Sequence, residues 1–159
     1  MRNHAVRRPH QYCYRFKLVM ILGIGAIALA SCGPSKKDEC VQILDTIETS
    51  RQQQILGTQT QDTMRQNATL TEKLADQLDA MSLNNKKLQE YTKILVKGYR
   101  AEVAAEKAYA DMANAEGIVS VRSGDGEKQK ALDDIQSQRR KAANQVQLGF
   151  GQIGSFCAI

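Results

Sequence analysis

The spacing of apolar residues is the feature that most constrains the fold of this chain. From residue 36 onward, aliphatic and aromatic residues recur at intervals of three and four, which is the period of an amphipathic helix. No stretch alternates with the two-residue period of a strand, and Pro34 is the last proline. Gln, Ala, Lys, Glu and Leu dominate this part and favour helix. The sequence therefore predicts an all-α fold.

The same spacing divides this part of the chain into four predicted helices. Ser35 is the expected N-cap of the first helix, and Gly117 is the expected cap at the end of the third. The segment 59–67 is very polar and is left outside the helices, while 146–159 is interpreted as an apolar tail interrupted by glycines. The helices are expected at about 36–56, 67–81, 85–116 and 127–149.

An apolar run at 18–30 precedes the helical part. Arg15 and Lys17 stand before it, and Ser31 and Cys32 follow it. A membrane-spanning helix needs ~20 apolar residues, whereas a run of about 10–14 is typical of the core of a signal peptide. The end of the run, Leu29-Ala30-Ser31-Cys32, resembles the lipobox of bacterial lipoproteins, in which the leader is cut before the cysteine and that cysteine carries lipid.

This resemblance implies a signal peptide at 1–31 that is removed and a lipidated tether at 32–36. The helical bundle domain predicted from the apolar spacing then covers 37–159. Cys32 is the expected point of lipid attachment, and two or more acyl chains give the stable anchoring that one chain does not. The expected location is the cell envelope, facing the periplasm. The residue after Cys32 is Gly33 and not Asp, which resembles the pattern of lipoproteins that enteric-type bacteria sort to the outer membrane. An uncleaved signal-anchored protein is the alternative.

The net charge of +5 belongs to the leader. Five of the 22 Lys and Arg residues lie there and none of the 17 acidic residues does, so the cleaved chain has no formal net charge. Binding to nucleic acid needs a retained basic patch, and no nucleic-acid partner is therefore expected. Short basic clusters at 36–37, 86–87 and 139–141 have acids nearby and are interpreted as solvated faces.

Two further cysteines, Cys40 and Cys157, lie near the two ends of the helical part. In an exported protein such a pair is expected to form a disulfide; two free thiols or an intermolecular bridge are the alternatives. Four helices that turn back and forth bring both cysteines to one end of an antiparallel bundle. A three-helix bundle with one long helix at 36–82 would separate them. The pair therefore favours the antiparallel four-helix bundle, with a break near Gly57.

Patterns that could carry catalysis or bind a cofactor are weak. The segment 149–154, GFGQIG, matches the glycine pattern of dinucleotide sites, but it follows a predicted helix instead of joining a strand to a helix. The cleaved chain has no histidine, which excludes Ser–His and Cys–His catalysis and histidine metal sites. Glu102, Glu106 and Asp133-Asp134 are interpreted as solvated. No enzymatic activity, metal or cofactor is therefore expected.

The stretch from Cys40 to about Ala115 resembles small helical lipoproteins of cyanobacteria. The resemblance rests on CVQILDTI at 40–47 and on LADQLDAMSLNNKKLQEYTKILVKGYR at 74–100. In the second segment a leucine-rich helix turns through a short polar link into a helix with spaced aromatic residues. The resemblance implies a helical envelope lipoprotein without an assigned activity, and it supplies no functional residue beyond Cys32.

The sequence thus favours a lipid-anchored envelope protein that binds or scaffolds another envelope protein. The reasons are an anchor, a helical body, a neutral charge and the lack of a catalytic constellation. A second hypothesis is a carrier that holds an apolar ligand between helices, near Tyr91, Tyr99 and the glycine-rich tail. For the two tyrosines, packing in the core is the preferred interpretation.

Overall fold

The structure is a computed structural model of the chain and describes residues 34–158. The leader predicted at 1–31 and the proposed lipid site Cys32 lie outside these residues. No helix of the described part is long and apolar enough to cross a membrane. The regular secondary structure of this part consists of four α-helices without a strand, which confirms the predicted fold class. The helices are α1 (Lys36–Gln53), α2 (Gln61–Asp79), α3 (Lys86–Met112) and α4 (Gly126–Cys157).

Helices that pack together run antiparallel. In the facing pairs given below, residue numbers increase along one helix while the numbers of the residues that they face decrease along the other. The antiparallel four-helix bundle is therefore confirmed, and the three-helix alternative is wrong because residues 54–60 separate α1 from α2. The opposed pairs include Cys40–Cys157 and Arg51–Phe150 between α1 and α4, Arg65–Asp111 and Arg100–Asp76 between α2 and α3, and Gly98–Val146 and Leu95–Gly149 between α3 and α4.

The start of α1 follows the prediction, whereas the start of α2 does not. Ser35 caps α1 as expected, and Asp38 completes a capping box by accepting hydrogen bonds from the Ser35 backbone N–H at 2.9 Å and its hydroxyl at 2.8 Å. The polar segment 59–67 is largely helical, because Thr60 caps α2 by accepting a hydrogen bond from the backbone N–H of Thr63. Its polar residues are exposed or half-buried, while Met64 is buried.

The ends of α3 and α4 also differ from the prediction. α3 ends at Met112, with Ala113 as its C-cap, so Gly117 lies in the turn that follows and is not the cap. The segment interpreted as an apolar tail continues α4 as far as Cys157. Its three glycines lie within the helix, and one of them, Gly149, faces the neighbouring helix α3.

That contact brings the backbones of α3 and α4 together. A Cβ atom on Gly98 would lie 2.8 Å from the backbone nitrogen of Val146, and one on Gly149 would lie 2.9 Å from the backbone nitrogen of Leu95. Only glycine fits at these two positions without displacing the facing helix. The apolar core beside this crossing is built from α1, α2, α3, α4 and the α2–α3 turn, and includes Ile43, Ile47, Leu74, Leu78, Leu83, Leu88, Leu95 and Ile153.

Candidate functional surfaces

One end of the bundle holds the start of α1, the α2–α3 turn and the end of α4. Cys40 and Cys157 form a disulfide there, with Cα atoms 5.9 Å apart, as the sequence predicted. The two residues are 117 positions apart, so the bond closes most of the described chain into one loop. The beginning and the end of the bundle are thereby held at the same place.

A buried carboxylate links the same end together. Glu39 is 1% exposed, and its two carboxylate oxygens accept hydrogen bonds from the backbone N–H groups of Asn84 at 2.6 Å and Asn85 at 3.2 Å. Sequence reasoning missed this role, because an acid in the first turn of a helix is ordinarily explained by the helix dipole and solvent. The only sequence signal for the burial of Glu39 was its position directly before Cys40, which is itself buried.

Four lysines form a surface at this end that we term the basic end: Lys36, Lys37, Lys86 and Lys87. All four are exposed. The Nζ atom of Lys36 lies 4.2 Å from the centroid of the Phe156 ring, and that of Lys87 lies 6.0 Å from the same centroid. The sequence showed two separate lysine pairs, and only the fold brings them together.

The opposite end, which we term the distal end, is made of the two connections 54–60 and 113–125. Gln61, the residue directly after the first connection, bonds to the second: its backbone N–H donates to the carbonyl of Ala115 at 3.3 Å and its side-chain amide to the carbonyl of Ala113 at 3.2 Å. Each connection leaves a large apolar side chain in solvent. Leu56 is 89% exposed and Ile118 is 57% exposed.

A polar cleft of about 190 Å³ lies between α2, α3 and α4. Glu106 forms an ion pair with Arg139 at 3.0 Å, and the Arg139 guanidinium lies 5.2 Å from the centroid of the Tyr109 ring. Burial raises the pKa of Glu102, the charge of Glu106 raises that pKa further, and Arg139 lowers it. The interpretation of Glu102 and Glu106 as a solvated pair is therefore wrong, whereas Asp133-Asp134 is exposed.

The tyrosines of the carrier hypothesis occupy different environments. Tyr99 lies in the core, where burial raises its pKa, and Tyr91 is half-buried with its ring edge-on to Phe156 at 6.0 Å between centroids. Close to them, α3 and α4 are in backbone contact at Gly98 and Gly149, so there is no room for a ligand between the two helices at this crossing. The surface beside Tyr91 is an open depression on the outer face, lined also by Leu148 and Phe156.

Two further observations limit what the described residues do. The segment 149–154 lies within α4, so its glycines form no turn of the kind that cradles a pyrophosphate. Within residues 34–158, no group of three or more His, Cys, Asp or Glu side chains is placed to hold a metal ion. Comparison of the chain with models of protein families, with curated proteins and with solved structures gave no match.

Proposed function

We propose that this protein is a non-enzymatic, lipid-anchored protein of the bacterial cell envelope, with its helical body facing the periplasm. The observation that carries the proposal is how closely the bundle follows Cys32. α1 begins at Lys36, four residues after that cysteine, and the disulfide joins its second turn to the end of α4. A lipid on Cys32 therefore attaches to a rigid end of the bundle through a tether of only a few residues.

The length of the helices gives this body a reach away from the anchor. α3 has 27 residues, which corresponds to about 40 Å at 1.5 Å per residue. The distal end then stands roughly 40 Å from the basic end, where a protein of the envelope can meet it. Exposed Leu56 and Ile118 are the side chains there that an apolar contact with such a partner would cover.

Intact mass of the membrane-extracted protein tests the anchor. The expected mass is that of residues 32–159 with acyl chains attached, with Cys40 and Cys157 blocked to alkylation until a reductant is added. Full-length mass with an unmodified Cys32 would instead indicate an uncleaved signal anchor. That outcome would overturn the lipoprotein part of the proposal. The protein would still be attached to the membrane through the segment that precedes the bundle.

Crosslinking in intact envelopes tests the binding role. We expect a defined crosslinked protein species with the unmodified chain, and its loss in Leu56→Ser. The matched control is Leu148→Ser, since Leu148 is also exposed, at 54%, but lies on the side of α4 away from the distal end. Equal crosslinking in the two variants would show that the distal end is not the binding surface.

A further inference from the structure

The basic end collects charge that the sequence disperses. Lys36 and Lys37 open α1, and Lys86 and Lys87 open α3. Because the Nζ atoms of Lys36 and Lys87 both lie over the ring of Phe156, the two pairs are neighbours in space. Among the described residues, none of the four lysines forms an ion pair.

Two of the nearby carboxylates are committed to other contacts. Glu39 is buried and bonded to the α2–α3 turn, and Asp79 pairs with Arg100 at 2.8 Å. Asp38 is exposed and offsets one positive charge, while its carboxylate closes the capping box with Ser35. Glu90, one turn after Lys86 on α3, is exposed and offsets another. The four lysines outnumber these two exposed carboxylates, so the outward charge of this end is positive.

The chain enters the bundle at the basic end. Pro34 is two positions from Cys32 and four from the last residue of the apolar run at 18–30. α1 begins two positions further on, at Lys36. A residue spans at most about 3.5 Å, so a membrane attached through either element lies within about 20 Å of the start of α1. The basic end is therefore the end of the bundle next to the proposed attachment, whether the leader is cleaved or kept.

We propose that the basic end binds anionic phospholipid headgroups and thereby orients the bundle on the membrane. This inference rests on the membrane attachment proposed above. Each cation near an anionic membrane surface strengthens association about fivefold, and a basic patch is a common second signal beside a lipid chain. Since acyl chains already hold the protein on the bilayer, the lysines act mainly on its orientation, turning the distal end away from the surface.

The test uses full-length protein reconstituted into vesicles of phosphatidylcholine alone or of phosphatidylcholine with phosphatidylglycerol. A membrane-impermeant acylating reagent labels exposed lysines, and mass spectrometry gives the labelling rate at each position. With phosphatidylglycerol we expect labelling of the four lysines of the basic end to slow several-fold. The effect is expected to disappear in about 1 M salt, where the Debye length falls to about 3 Å. Exposed Lys73 and Lys130, which lie elsewhere on the bundle, serve as internal controls.

Substitutions make the test specific for charge. In Lys36→Gln/Lys87→Gln, the protection of the two remaining lysines, Lys37 and Lys86, is expected to fall. Lys73→Gln/Lys130→Gln removes the same charge from other exposed positions and is expected to leave that protection unchanged. Equal labelling rates in the two vesicle types would overturn the proposal, as would protection that persists in high salt.

Flotation of the vesicles in high salt separates this inference from the anchor itself. Protein that floats with neutral vesicles is held by its anchor, whatever the labelling rates are. If the protein does not float, the anchor proposal fails. The labelling comparison at low salt then still decides whether the basic end binds phosphatidylglycerol, since protection or its lack is read at the same four lysines.

Discussion

The carboxylate of Glu39 accepts a hydrogen bond from the backbone N–H of Asn84 at 2.6 Å, across 45 positions of sequence. Its second oxygen accepts from the backbone N–H of Asn85, whose own side chain caps α3. One buried side chain in the first turn of α1 therefore fixes the turn that starts α3. Two lysines of the basic end follow this turn directly, so their position depends on it.

Removing this carboxylate should be costly. Hydrogen bonds to charged groups contribute about 1.5–3 kcal/mol each, and a buried donor left without a partner adds a desolvation penalty. We expect Glu39→Ala to lower the free energy of unfolding by roughly 2–4 kcal/mol in chemical denaturation. Glu39→Gln should cost less, since its amide oxygen still accepts one bond. Exposed Glu48 in the same helix is the control, and Glu48→Ala should change stability by less than about 0.5 kcal/mol.

The α3–α4 crossing predicts opposite effects at two glycines of the same helix. Gly149→Ala brings a Cβ atom to 2.9 Å from the backbone of Leu95 and should destabilise the bundle by about 1–3 kcal/mol. At Gly151 a Cβ atom meets nothing within 4 Å. Gly151→Ala should therefore stabilise the protein by about 0.5–1 kcal/mol through helix propensity alone. Thermal unfolding of the two variants checks the sign, and two shifts of the same sign would contradict the close crossing.

The disulfide should stabilise the bundle substantially. In the chain-entropy model a loop of about 100 residues is worth close to 4.7 kcal/mol, and removal of native disulfides typically costs about 2–5 kcal/mol. In chemical denaturation we expect Cys40→Ser/Cys157→Ser to lower the free energy of unfolding by about 2–5 kcal/mol. Reductant should destabilise the unmodified protein and leave the double variant unchanged. An unmodified protein that is indifferent to reductant would contradict the bond.

Because the pKa of Glu102 is raised, we expect its replacement by Gln to stabilise the protein in a pH-dependent way. Its pKa in the folded protein is raised above the ordinary value of 4.5, first by burial and then by Glu106, so the fold binds its proton more strongly than the unfolded chain does. Stability therefore falls as the pH rises from the unfolded pKa through the folded pKa. Glu102→Gln should raise the free energy of unfolding at pH 7, and the gain should vanish below about pH 4.

Unfolding curves for Glu102→Gln at several pH values measure this dependence. Glu90→Gln, which changes an exposed carboxylate on the same helix, is the control and should give no comparable gain. A gain of equal size at every pH would mean that packing, and not ionisation of the carboxyl group, explains the effect of the substitution.

The elements that were predictable from sequence are those set by local patterns. The period of the apolar residues gave the helices, Ser35 gave the first cap, and the cysteine pair selected four helices over three. The start of α2 was missed because the cap at Thr60 acts within a segment whose polarity suggested a link. The end of α4 was missed because glycine reads as a helix breaker, and only the facing backbone of α3 explains Gly149.

The buried acids were missed for a different reason. Glu39 and Glu102 each lie in a helix with a pattern that solvated acids share. What distinguishes them is the structure packed around them, namely the turn at 84–85 for Glu39 and burial in the cleft between α2, α3 and α4 for Glu102. Such contacts join residues far apart along the chain, and no local spacing predicts them. The convergence of the two lysine pairs on Phe156 is another contact of this kind.

The bond between Cys40 and Cys157 also determines what a protease could release. The connection at 113–125 is exposed along most of its length, and a single cut there would leave α4 covalently tied to α1. Both fragments would then stay with whatever holds the first helix, and they would separate only after a reductant is added. A molecule cut at this connection would thus keep both fragments and would not release α4.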